Sequence, residues 1–254
     1  MDNEHIGLCF TQYLIINQNN LIVSFPGANL LNFSFKWQLL WDNPILQPSV
    51  MFRKSLLKQH NLFFNKDFQI AEDLELWHSL VFFISLHKIR EPLLYYRMLP
   101  KSTFHSNISI GKANSLKSSY KYIKKLTGND PPAFYKYLTY YNHSTFGNED
   151  QKELFTVYNW LIKLRNDFFN IYKLDSYEIK RINKDINIRL LVFLSNMKFK
   201  FSLLSLKEIF FKSRYKILIR IISGIFTLSN ICTMKYFKCK TLSGKHSRLL
   251  SKYI

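Results

Sequence analysis

The texture of the chain changes near residue 105, and that change limits the architectures open to it. Before it, short β-rich runs alternate with Asn and Pro signals. GLCFTQYLI (7–15) and LIVSF (21–25) flank the polar stretch NQNN, a pattern that predicts a hairpin. NLLNFSFKWQLLWDNP predicts a short helix ended by Asn43 and Pro44, because proline disfavours helical geometry in the residue before it. PSVMFR is the next strand candidate, RKSLLKQHN a turn or two of helix, and IREPLLYYRM a further strand interrupted by Pro92. After residue 105 the pattern turns to long Lys- and Tyr-bearing helices, over about 106–126, 132–141, 149–170, 175–195 and 203–228. The expected class is therefore α/β, a mixed sheet with helices over 1–104, followed by a mostly α-helical basic region over 105–254.

Charge divides as unevenly as texture does. Residues 1–150 carry 15 Lys and Arg against 11 Asp and Glu, whereas residues 151–254 carry 21 against 6, and no acid follows Glu208. Such a tail lowers its electrostatic energy against a polyanion, either an anionic membrane surface or nucleic acid. No RNA-binding fingerprint, zinc finger or basic zipper accompanies it, which makes nucleic acid the weaker partner. A solvated lysine-rich surface is the plainer alternative. In LKEIFFKSRYKILIRIISGIF the basic residues project on several sides, so a buried helix with snorkelling Lys and Arg fits as well as an interfacial one.

Compartment follows from smaller signs. Cys9, Cys232 and Cys239 show no CxxC or zinc-like spacing and fit reduced thiols in a cytoplasmic protein. Charges break every long apolar run before about 18 residues, and no leader pattern follows Met1. The expectation is a cytoplasmic protein, with peripheral docking at the inner membrane face as the option raised by its tail. A hydrophobic content of 47%, with 23 Phe and 15 Tyr, supplies a core for one substantial domain or two small ones.

The stretch QIAEDLELWHSL (69–80) concentrates the chemistry. Leu74, Trp77, Leu80 or Val81, and Ile84 recur at three- and four-residue steps, which predicts a helix starting near Glu72. Glu72 and Asp73 then lie in its first turn, where acids meet the positive end of the helix dipole and cap free amides. Asp73, Leu74 and Glu75 also spell an acid-x-acid triplet. On a helix, positions two apart face different ways, so this triplet does not grip a metal ion.

Around these acids, NPILQPSVMFRKSLLKQHNLFFNKDFQIAEDLELWHSLVFFISLHKIREPLLYYRM resembles the second half of the catalytic domain of family 2 glycosyltransferases, inverting enzymes of the GT-A fold that build bacterial surface polysaccharides. The family pattern runs from an Asn through His-Pro-Ser or His-Pro-Thr and Met-x-Arg to a Glu-Asp motif with Leu-Trp behind it, then to a strand ending in Tyr-Arg. Order and spacing match over about residues 7–104. The resemblance implies that Asp73 is the base that takes the acceptor-hydroxyl proton, with Glu72 shaping the acceptor site. A helix start in a partly dry cleft suits such a base, since the dipole keeps it ionised and its seat is rigid. Trp77 would offer a face to a sugar ring, or else pack in the core with Leu74. Arg97 with Ser102 would contact the departing diphosphate, or Arg97 would be a structural pairing partner.

Departures from the family are specific. Gln47 replaces the His of His-Pro-Ser, and Leu99 stands where the family has a His that often ligates the metal. His105 is read as a surface residue. The strands that hold the nucleotide, and the Asp-x-Asp that binds Mg2+ or Mn2+, have no counterpart in the 254 residues. The resemblance thus implies an acceptor-side half, inactive alone and binding no cofactor by itself, with Mg2+ or Mn2+ in the complete enzyme. A nucleotide-sugar donor and a saccharide or lipid-linked acceptor would be its substrates once a donor-binding half completes it.

Overall fold

The structure, a computed structural model, describes residues 6–25, 35–99, 107–139 and 152–196. Ser102, His105, Cys232, Cys239 and the helix expected over 203–228 lie outside them. The chain has mixed α/β character. It forms two compact units, whose described residues are 6–25, 43–99 and 107–118 in one and 35–42, 119–139 and 152–196 in the other. Along the described chain the units change at Asp42/Asn43 and at Ser118/Ser119.

A mixed four-stranded sheet organises the first unit. Its central strand is β1 (Ile6–Ile16). β4 (Ser85–Arg97) runs parallel along one whole edge of β1, from Ile6 opposite Ser85 to Ile16 opposite Arg97. The other edge is shared by two short antiparallel strands. β3 (Val50–Phe52) takes Leu8 to Phe10, and β2 (Ile22–Ser24) takes Ile15 and Ile16. Leu8, Phe10, Gln12, Leu14 and Ile16 are all buried, as the period of two requires of a strand with one face on the core.

Local chemistry explains the connections. The predicted hairpin turn is tied by Asn17, whose Oδ1 accepts the backbone N–H groups of Asn19 and Leu21. Asn20 takes the left-handed conformation that asparagine tolerates (φ 62°). Gly7 is required by close approach, because a Cβ there would stand 2.6 Å from the Ile84 Cβ. Pro92 lacks an N–H, and the pairing slips around it. Thr11 lies opposite Ile89, Gln12 opposite Pro92 and Tyr13 opposite Leu94, so Arg90, Glu91 and Leu93 fall outside the register with β1.

Two short helices complete the path to the acids. α2 (Lys54–Gln59) follows β3, and α3 (Glu72–Leu80) buries Leu74, Trp77 and Leu80 along the predicted stripe. The stripe continues beyond the helix with buried Val81 and Ile84. His78, on the same helix, is buried with its Nδ1 2.6 Å from the Ser118 hydroxyl. Ser118 belongs to the long helix α4 (Ile108–Thr127), whose residues from Ser119 onward count with the second unit.

The second unit is helical. It holds α1 (Phe35–Gln38), the end of α4, α5 (Lys152–Ile171) and α6 (Ser176–Asn196). The helix expected over 132–141 is instead a tighter 3-10 segment, Ala133–Leu138, entered from Pro132. Edge-to-face aromatic contacts fill the core, among them Trp37 with Trp41 and Phe168, and Phe134 with Trp160 and Phe193.

Residues 35–42 join the helices for a polar reason. Trp37 Nε1 donates to Asp185 Oδ2 at 2.7 Å, and the Arg189 guanidinium donates to both oxygens of Asp185 at 3.3 and 3.1 Å. Another Arg189 N–H reaches the Leu138 carbonyl at 3.1 Å, and the guanidinium carbon lies 5.1 Å from the Trp41 ring centre. Tyr122 donates to the Lys36 carbonyl and Tyr135 to the Leu40 carbonyl, which satisfies backbone acceptors at the end of α1. The ion pair is buried, so removing one partner leaves the other charge without compensation. Asp185→Ala is expected to lower unfolding free energy by about 3–5 kcal/mol in urea titration, and a joint apolar replacement of Asp185 and Arg189 by much less.

Candidate functional site

Asp73 sits at the second position of α3, directly after a forced turn. Ala71 precedes the helix in the left-handed region (φ 69°, ψ 23°), a conformation that costs an L-residue roughly 1–2 kcal/mol. The turn is held in place from α4, where Asn114 Nδ2 donates to the Ile70 carbonyl at 3.0 Å. Its carbonyl at Ala71 accepts the Glu75 N–H at 3.2 Å and so starts the helix.

Asn43 grips the carboxylate. Its Oδ1 accepts the Ile45 N–H at 3.2 Å, a local turn around Pro44 that leaves the amide NH2 to face outward. Nδ2 then donates to Asp73 Oδ2 at 2.9 Å. The other oxygen, Oδ1, accepts the Leu74 N–H at 2.7 Å. One oxygen therefore serves the helix start and the other the Asn43 loop, each with a lone pair left over. The carboxylate is half-buried and fixed in orientation.

Burial dominates its protonation. Loss of solvent pushes the Asp73 carboxyl above its ordinary value, the Leu74 and Asn43 hydrogen bonds oppose this, and the charge of Glu72 adds to it. Desolvation thus outweighs the two amides that donate to the carboxylate. A raised carboxyl is a stronger proton acceptor once ionised. Glu72, half-buried beside it, makes no hydrogen bond or ion pair with the described residues.

The other residues expected at a site have different surroundings. Trp77 is 1% exposed, and its buried indole N–H has no hydrogen-bond partner among the described residues. Its ring is core in this arrangement and presents no face to a sugar. Arg97 spends its guanidinium on the hairpin turn, donating to the carbonyls of Asn17 and Gln18 and, at 2.6 Å, to Asn20 Oδ1. These contacts tie the end of β4 to the hairpin turn. Gln47 is exposed at the start of the 3-10 turn Gln47–Ser49, and Ser102 lies outside the described residues.

Asn43 and Asn114, the two amides that fix the acid, were not anticipated as site residues. Asn43 was visible as an Asn-Pro helix stop, but its partner is 30 residues away along the chain. Among the described residues no three His, Cys, Asp or Glu side chains cluster as metal ligands. Nor, among them, is any helix long and apolar enough to cross a membrane. Comparison with family models, curated proteins and solved structures gives no match for this chain.

Two outcomes follow from the geometry. A folded-state carboxyl raised above its unfolded value contributes stability that is full below the unfolded value and lost as pH rises through the folded one. Urea titrations across the acid range should therefore show wild type losing stability relative to Asp73→Asn as pH rises; the opposite slope would mean that Asn43 and Leu74 outweigh burial. Ala71→Gly should relieve the left-handed strain, with a gain of up to about 1 kcal/mol after the entropy of glycine in the unfolded chain is subtracted. Thermal unfolding checks this.

Proposed function

We propose that the chain is the acceptor-side portion of a family 2-like inverting glycosyltransferase, with Asp73 as the catalytic base. The observation that carries this reading is the seat of Asp73: a half-buried carboxyl at a helix start, oriented by Asn43 and raised by desolvation. The order of sequence motifs around it supports the same assignment, as does a mixed sheet in the unit that holds it.

In the proposed reaction the acceptor hydroxyl gives its proton to an Asp73 oxygen while its own oxygen attacks the anomeric carbon. The bond from that carbon to the nucleoside diphosphate breaks, the diphosphate leaves with the electron pair, and the configuration inverts. Glu72, one residue earlier and without a hydrogen-bond partner among the described residues, would accept hydrogen bonds from neighbouring acceptor hydroxyls. Donor binding and charge neutralisation on the diphosphate belong to a separate donor half, since residues 1–254 contain no Asp-x-Asp. Surface polysaccharide or lipopolysaccharide acceptors at the inner membrane face would suit the basic tail.

A second reading is a non-catalytic basic module that docks on anionic membrane. It rests on the balance of 21 Lys and Arg against 6 Asp and Glu in residues 151–254.

One experiment separates them. Transfer is assayed with the full chain joined to a family 2 donor-binding half, Mg2+ or Mn2+, a nucleotide sugar and a saccharide acceptor. Asp73→Asn should lower kcat on the order of 10²–10⁴-fold with an unchanged circular dichroism spectrum. Glu72→Gln should act mainly on the acceptor KM. Full turnover by Asp73→Asn would end the assignment of the base, and salt-sensitive binding to anionic vesicles without any transfer would favour the second reading.

A further inference from the structure

The second unit contains a pocket of about 220 Å³, lined from one side by α5 and from the other by the end of α4 and the loop after it. We propose that it binds a neutral saccharide, one pyranose unit in size. The inference rests on the pocket's own chemistry and not on the role assigned to Asp73.

Helical spacing builds the first wall. Trp160, Lys163, Leu164 and Asp167 stand at steps of three, four and seven along α5, hence on one face. Trp160 is half-buried and backed by the rings of Trp41, Phe134 and Tyr135, at centroid distances of 6.4, 5.7 and 5.8 Å. Those contacts fix the indole, whose remaining surface contributes to the pocket. A rigid aromatic surface suits the C–H face of a pyranose and costs little ordering on binding.

The opposite wall is set by helix termination. Gly128 takes the left-handed conformation (φ 73°) and its N–H bonds the Lys124 carbonyl, which ends α4 and turns the chain into Asn129 and Asp130. Asn129 gives its Nδ2 to the Thr127 carbonyl, so its Oδ1 is left as an acceptor. Asp130 gives Oδ2 to Lys124 Nζ at 2.9 Å and keeps Oδ1. Asp167 and Lys163 make no hydrogen bond or ion pair with the described residues.

The result is three planar acceptor groups and one ammonium donor around an indole. Sugar hydroxyls each donate and accept, and a carboxylate or amide oxygen pair spans two neighbouring hydroxyls. Charge selects against other ligands: Asp130 and Asp167 are balanced by Lys124 and Lys163, so neither an anion nor a cation gains from the local field. Size selects too, since the volume lies below the roughly 300 Å³ at which pockets enclose drug-sized ligands, and a nucleotide sugar is of that larger kind.

The test uses methyl glycosides of glucose, galactose and N-acetylglucosamine as probes of the full chain, read by saturation-transfer NMR and tryptophan fluorescence. Millimolar binding is expected for at least one glycoside. Asp167→Asn and Lys163→Met, both without partners among the described residues to lose, should each weaken it by about tenfold, and Trp160→Ala should abolish it. Unchanged affinity in Asp167→Asn and Lys163→Met would place the sugar elsewhere and overturn the proposal. So would preferential binding of tetramethylammonium, which would mark the pocket as a cation site, or the absence of saturation transfer from every glycoside. A glycoside effect confined to Asp73→Asn would overturn this pocket while leaving the proposed acceptor site intact.

Discussion

Every strand of the sheet pairs with β1, and that single dependence orders the first unit. Both edges of β1 are used, one by β4 throughout and the other by β3 and β2 in turn. Its backbone is thereby paired on both edges at residues 8–10 and 15–16, in a setting where Leu8, Phe10, Leu14 and Ile16 exclude water. Because side chains alternate, a slip of one residue would turn these four outward and bring Cys9, Thr11, Tyr13 and Ile15 inward. The register is consequently fixed by the core face itself. Gly7 then lets Ile84, four residues past α3, lie against the strand, which ties the helix carrying Asp73 to the sheet.

At the acid, two demands oppose one another. A helix start offers amides that favour a carboxylate, whereas the surrounding side chains remove the water that a charge prefers. Desolvation prevails in the balance at Asp73, and a left-handed Ala71 upstream places a strained residue beside it. Strain and a desolvated acid thus lie within two residues of each other at the start of α3. The second unit resolves the same conflict differently. Asp185 is also buried, yet Arg189 and Trp37 supply donors to both of its oxygens, and the group becomes a fastener for residues 35–42.

The sequence made local features legible where neighbours decide them. The NQNN hairpin and the α3 stripe are set by residues close along the chain and both are present, as is the strand at PSVMFR, whose partner on β1 lies about 40 residues earlier. Long-range pairings were not readable. Nothing in FKWQ says that its tryptophan will meet Asp185, 148 residues on, and so the segment was grouped with the sheet half. Arg97 illustrates the same limit, since its type suited a phosphate while its location at the end of β4 delivered it to a turn beside β2. Glu72 and Asp73 were placed correctly at a helix start, but the amides that hold the acid come from positions 43 and 114, which periodicity does not connect.

β4 is long, parallel to β1, and paired on only one side among the described residues, with Leu93 and Tyr95 exposed. A straight strand of that kind would be a template for a second chain to add itself in register. Pro92 removes one donor from the row and the slips around it take three residues out of register, so no continuous ladder can form across the bulge. The same proline that distorts the sheet thus works as a gatekeeper against edge-to-edge aggregation.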